Sequence, residues 1–267
     1  MNARWLAAAL LVVPLLATGL PTYAQGAAPM GIVVMHGKGG RPDGLVRKLA
    51  EGLESRGYRV ANLEMPWSGR RQYDTDVAGA EREVDDALAK LRGAGATKLF
   101  VAGHSQGAVF ALHYATRHPL DGLVIIAPGG NVGTRFYQSK VGASVSRARE
   151  LVASGKGGER DAFDEFEGGR GNTSVHTTAA IYLTWFDRDG AMNQMKSSSA
   201  LPAALPVLHV APTDDYPALL RAKREMFGVL PANPLTKLYE PETSHREAPT
   251  ASLEEVARWT AEIAVRK

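Results

Sequence analysis

The sequence predicts an α/β fold, a doubly wound and mostly parallel sheet carrying a helical cap insertion, on three grounds. Short apolar runs of strand length alternate with longer stretches whose apolar residues recur at helical spacing. The runs are apolar throughout, as strands covered on both faces must be, and no hairpin signal joins one to the next. At residues 98 to 110, KLFVAGHSQGAVF, a run stops at GHSQG and a helical pattern begins on its far side. That stretch reads as strand, sharp turn and helix, with Ser105 at the tip of the turn.

Residues 31 to 35, GIVVM, form an inner strand that opens into a tight glycine-rich loop, HGKGG. Pro42 and Asp43 start a helix that runs to Arg56 and is closed by Gly57. Residues 58 to 63 form the next strand, followed by the loop EMPWSGRRQYD. A strong helix starts at Asp74 or Thr75 and places Val77, Ala80, Val84, Ala87, Leu88 and Leu91 on one face, with charges on the other, until Gly93 and Gly95 end it. The strand at 98 to 102 leads through Ser105 to a helix marked by Ala108, Val109, Ala111, Leu112 and Ala115. Residues 123 to 127 and 206 to 210 are further buried strands, and 237 to 239 is a short last one. Leu253, Val256, Ala257, Thr260 and Ile263 line a terminal helix. In a sheet of this kind the working loops follow the carboxyl ends of the strands, where HGKGG, EMPWSG and GHSQG lie.

The interval from about 129 to 204 is too long for one crossover. It carries a helix at 138 to 154, the segments GKGGER and EFEGGRGN, and an aromatic helix around IYLTWF. It is expected to cover the carboxyl end of the sheet, either as a cap that its glycines let move or as a rigid surface insertion. Asp161, Asp164, Glu165 and Glu167 within it read as a solvated face.

Residues 1 to 24 read as a signal peptide. Arg4 gives a positive start, residues 6 to 20 an apolar stretch broken by Pro14, and the exit ends in Ala24. Cleavage there leaves one domain, residues 25 to 267, and a periplasmic or secreted protein with no stable membrane span; an uncleaved anchor is the alternative. The chain has no cysteine, which excludes a disulfide framework and lipoprotein attachment. Its 31 Lys and Arg against 28 Asp and Glu give a net charge of +3. No basic run with interleaved aromatics speaks for nucleic acid.

A serine at such a turn sits on a strained backbone, and strand and helix pass so close that Gly103 and Gly107 must lack side chains. The free N–H groups of the following helix face the oxygen of an attacked carbonyl. Ser105 alone is a weak nucleophile; it needs a base, and the base needs an orienting acid. Asp214 and Asp215 stand at the end of the strand LPVLHV, and His245 stands in a polar loop, EPETSHREAP, after the next strand.

With HGKGG, GHSQG, PVLHVAPTDD and TSH in this order, the chain resembles the α/β-hydrolase superfamily over most of its length, as a serine esterase or lipase-like member. The resemblance implies acyl transfer, in which Ser105 attacks, His245 carries the proton and Asp215 fixes the imidazole, with Asp214 the neighbour that could replace it. It also implies an oxyanion hole formed by the N–H groups of Gln106 and of Lys38, or of Gly39 in place of Lys38. The family's opening antiparallel strands are missing from the pattern, and Ala211 and Pro212 replace the usual His-Gly before the acid. A serine at the elbow, where epoxide-opening and dehalogenating members carry Asp, argues against those chemistries.

The implied function is cleavage of small carboxylic esters through an acyl-enzyme on Ser105, with no cofactor and no metal. A thioesterase, a lactonase or a non-catalytic ligand-binding protein on the same fold are the alternatives. Trp67, Tyr182 and Trp185 could line a substrate pocket or pack in the core. His36 and His104 are expected to shape their loops, and Arg70 and Arg71 to sit on the surface.

Overall fold

The computed structural model describes residues 29–266; the signal peptide expected at 1 to 24 lies outside the described residues. The strands are β1 (Met30–Met35), β2 (Arg59–Leu63), β3 (Lys98–His104), β4 (Gly122–Ile126), β5 (Arg160–Glu167), β6 (Gly171–Thr178), β7 (Val207–Val210) and β8 (Lys237–Tyr239). Six of them form one sheet in the order β2, β1, β3, β4, β7, β8, with every neighbouring pair parallel. The helices are α1 (Arg47–Glu54), α2 (Val77–Gly93), α3 (Gln106–Ala115), α4 (Arg135–Ala153), α5 (Ala179–Phe186), α6 (Gln194–Ser199), α7 (Pro217–Gly228), α8 (Ala248–Ala251) and α9 (Leu253–Ala264).

The pleat sends alternate strand residues to opposite faces, and both faces are covered. Ile32, Val34, Phe100, Ala102, Val124 and Ile126 pack with Leu49 and Leu53 of α1 and Val256 and Trp259 of α9. Val33, Met35, Val101, Leu123 and Ile125 pack with α2 and α3 on the other side. Two covered faces explain why the strands read as unbroken apolar runs. The helix expected from Pro42 begins only at Arg47, after turns closed by Gly44 N–H to Arg41 O and Arg47 N–H to Gly44 O. Asp76 caps α2 by accepting Gly79 N–H at 2.7 Å.

Between β4 and β7 the chain forms α4, an antiparallel hairpin of β5 and β6, then α5 and α6. The hairpin was not expected from the sequence. The buried positions of β5 are Phe163 and Glu165, so a buried carboxylate interrupts the apolar alternation that would mark a strand. EFEGGRGN is the hairpin's turn, closed by Arg170 N–H to Glu167 O, with Gly171 at φ 78°. Tyr137, Val141, Phe163, Val175, Tyr182 and Trp185 of this segment belong to the same hydrophobic cluster as the sheet face beneath them. α3 runs between sheet and insertion and is buried at every position except His113, so it is apolar around its whole circumference. α7 was also unforeseen; Met226 is its one buried residue, which leaves little amphipathic signal to read. Among the described residues no helix is long and apolar enough to cross a membrane.

Candidate active site

The turn after β3 holds Ser105 at φ 53° and ψ −117°, a backbone conformation that non-glycine residues rarely adopt and that costs on the order of 1–3 kcal/mol. Neighbouring chain braces it. Ser105 N–H donates to Ile126 O at 2.9 Å, and Ser105 O accepts from Ala108 N–H and Gly129 N–H. A Cβ on Gly103 would stand 2.2 Å from Gly107 O, and one on Gly107 would stand 2.7 Å from His36 O. Both glycines are therefore required by close backbone approach.

The acid and the histidine arrive from β7 and β8, two strands paired in parallel. Beyond them Asp214 pairs with Ser244, its N–H donating to Thr243 O at 3.1 Å, so the two loops travel together. This leaves Asp215 to face His245, with Oδ1 2.8 Å from Nδ1, and Tyr216 N–H donates to the same oxygen at 2.7 Å. Asp215, not Asp214, holds the imidazole. Both side chains of the pair are largely buried. His104 donates from Nε2 to His245 O at 2.9 Å, fixing the histidine loop to the end of β3. Burial, together with the charge of His245, pushes His104 down to about 3, so it remains neutral.

His36 does for the HGKGG loop what His104 does for the histidine loop. Its Nδ1 donates to Gly37 O at 2.7 Å and its Nε2 accepts Met65 N–H at 3.0 Å, while Trp67 Nε1 donates to His36 O at 2.9 Å. Both histidines shape loops, as expected. Within HGKGG, Gly39 N–H donates to Trp67 O at 2.9 Å and is not available to a ligand. The N–H groups of Lys38 and Gln106 have no protein acceptor among the described residues, which selects Lys38 over Gly39 as the partner of Gln106.

Ser105, His245, Asp215, Lys38 and Gln106 all border one cavity of about 550 Å³. Its walls include Leu45, Phe136, Phe166, Tyr216, Leu219 and Met226. Ser105 Oγ makes no hydrogen bond to protein among the described residues; it and the His245–Asp215 pair open on the same space. The aromatic residues expected as possible pocket lining are elsewhere. Trp67, Tyr182 and Trp185 are almost wholly buried and none borders the cavity. Trp67 packs edge-on against Phe110 and Trp185, and Tyr182 stacks on Phe163 and Phe186, so all three belong to the core. Arg70 pairs with Glu64, and Arg71 with Asp74 and Glu83, both away from the cavity.

A model of the alpha/beta hydrolase family matches residues 32–259. This chain belongs to that family. The hydrolase is 28% identical over 125 residues to Esterase EstD of Thermotoga maritima, an alignment covering 41% of this chain and 30% of that protein. It therefore spans less than a third of that relative's length. Its fold is similar to the structure described with LipS and LipT, two metagenome-derived lipolytic enzymes, at a TM-score of 0.59 and 17% identity, over 90% of this chain and 95% of that one. It is also similar to a monoacylglycerol lipase of Paleococcus ferrophilus, at 0.58 and 22%, over 90% and 96%.

One group beside the hydrolase's cavity was misread in the sequence. Glu165, expected on a solvated face, is 7% exposed and lies 3.1 Å from Lys38 Nζ. The carboxylate and its partner are 127 positions apart, so no local pattern announces the pairing. Among the described residues no cluster of three or more His, Asp and Glu side chains is arranged to hold a metal ion.

Proposed function

We propose that this hydrolase cleaves carboxylic esters through an acyl-enzyme on Ser105, and that it does so after export. One observation carries the reading: a serine held on a strained turn borders the same cavity as an Asp215–His245 pair at 2.8 Å and two unpaired backbone N–H groups. With Nδ1 engaged by Asp215, Nε2 of His245, which borders the cavity, is left without a protein partner among the described residues. It takes the proton of Ser105 Oγ as that oxygen attacks the ester carbon, a contact that tightens when substrate enters. The carbonyl oxygen, now negative, accepts from the N–H groups of Lys38 and Gln106; such donors are worth about 10²- to 10³-fold each in rate. Collapse of the tetrahedral species expels the alcohol, protonated by His245. Water, deprotonated by the same nitrogen, then releases the acid and restores Ser105. The apolar wall of the cavity suits a neutral ester, and the lipolytic and esterase names of the similar proteins agree with it.

The test is fluorophosphonate labelling of the purified protein with peptide mapping, together with hydrolysis of 4-nitrophenyl esters of rising chain length. Labelling at Ser105, turnover, and loss of both in a folded Ser105→Ala variant are expected. Turnover retained in that variant would remove Ser105 from the chemistry, and a folded wild type with neither signal would make the chain a binding protein. For export, mass spectrometry of protein from its native host should find Gln25 at the amino terminus, and an intact Met1 would refute cleavage.

A further inference from the structure

Lys38 and Gln106, which border the cavity and whose N–H groups have no protein acceptor among the described residues, are also joined through their side chains. Lys38 Nζ lies 3.1 Å from Glu165 Oε1 and donates to Phe166 O at 2.8 Å and to Tyr137 Oη at 3.3 Å. Tyr73 donates its hydroxyl to Glu165, and Gln106 Nε2 donates to Tyr73 Oη at 2.9 Å. Lys38, Glu165, Tyr73 and Gln106 thus form an unbroken path from one oxyanion donor to the other, through the β5–β6 hairpin. Tyr73, Glu165 and Gln106 are 1%, 7% and 5% exposed. Burial, with the Glu165 carboxylate, pushes the Tyr73 phenol well up, so it stays a donor. Tyr73 itself sits at φ 55°, next to Gln72 at φ 47°, and β6 holds it there, Thr177 Oγ1 donating to Tyr73 O at 2.7 Å.

A buried ion pair is a poor route to stability, because an apolar pair of similar volume commonly does as well or better. Its gain is direction. Lys38 lies between two glycines; Gly37 O, on the peptide that carries the Lys38 N–H, is held by His36 Nδ1 at 2.7 Å and Gly40 N–H at 3.0 Å, and the Lys38 side chain adds a second hold from the hairpin. An oxyanion donor must hold its position to within about 0.5 Å. We infer that Glu165 and Tyr73 are positioning residues that set the oxyanion hole from the hairpin, acting through the side chains of Lys38 and Gln106. This rests on the ester-hydrolase reading above.

The experiment uses the full chain with Glu165→Gln, Tyr73→Phe and the double variant Lys38→Met/Glu165→Leu, read by kcat and KM on one 4-nitrophenyl ester and by thermal melting. Oxyanion donors act in the transition state, so kcat should fall with KM within about twofold of wild type: at least threefold for Tyr73→Phe and at least tenfold for Glu165→Gln. Glu165→Gln should also melt lower, because Lys38 keeps its charge without a carboxylate. The double variant separates the two roles. Removing both charges should raise melting above that of Glu165→Gln, though not fully to the wild-type value because Tyr73 loses its acceptor, while kcat stays at least tenfold down. Recovery of kcat alongside melting would reduce the pair to charge compensation and overturn the inference, as would wild-type kcat in Tyr73→Phe and Glu165→Gln. If Glu165→Gln does not fold, the other two variants decide. Wild-type protein that neither hydrolyses esters nor labels at Ser105 would instead refute the ester-hydrolase reading, and the positioning role with it.

Discussion

Lowering the pH from 7.5 to 5.0 should destabilise this protein well before its carboxylates respond. His104 and His209 are both buried, and the Nδ1 of each lacks a hydrogen-bond partner. Burial, reinforced by His245, pushes His104 down to about 3, and burial pushes His209 down to about 4. In the unfolded chain both titrate near 6.5. Between 6.5 and about 4 the unfolded state therefore binds protons that the folded state refuses, and stability falls as pH falls. Each pH unit in that window costs about 1.4 kcal/mol per histidine, so reaching pH 5.0 costs about 2 kcal/mol for each and about 4 kcal/mol together. Carboxylates held low by cations, such as Glu240 beside Lys223 and Glu64 beside Arg70, add to the loss only below about 4.5. Urea unfolding followed by tryptophan fluorescence should show a midpoint lower at pH 5.0 by roughly 1 to 2 M. His209→Met should remove about half of that difference. An equal midpoint at both pH values, or a higher one at 5.0, would refute the reasoning.

Two further substitutions probe the site directly. Asp215→Asn should lower ester turnover by about 10⁴-fold through loss of the imidazole's orientation, whereas Asp214→Asn, whose backbone carries the contact to the histidine loop, should leave it within about threefold; the reverse order in kcat would move the acid by one residue. Gly103→Ala brings a methyl to 2.2 Å from the Gly107 carbonyl, which only backbone movement can relieve. It should cost about 1–3 kcal/mol in urea unfolding and displace the Ser105 turn enough to cut turnover sharply, and unchanged stability with unchanged kcat would contradict the close approach.

The parts of this site that the sequence shows are those that follow from chain order. Ser105, Asp215 and His245 lie in loops at the carboxyl ends of parallel strands, and loops in that position meet whatever their intervening lengths. The two glycines of the elbow were legible because close packing leaves no other residue. Trp67, Tyr182 and Trp185 were not, since an aromatic side chain looks the same in sequence whether it lines a cavity or fills a core. The β5–β6 hairpin and Glu165 were missed together for one cause. Strand recognition depends on apolar alternation, and here an inward position carries a carboxylate satisfied from another part of the chain. The choice between Lys38 and Gly39 depended on where one N–H points, a matter of φ and ψ that composition does not encode.

The pairing of β4 with β7 joins residues some eighty positions apart, with the whole insertion between them. Proteins are made from the amino terminus, and early segments form before late ones exist. The Ser105 turn follows β3 between β1 and β4, while its histidine and acid follow β7 and β8, late in the chain. On the ester-hydrolase reading proposed above, a chain truncated before β7 would carry the serine without its acid and base.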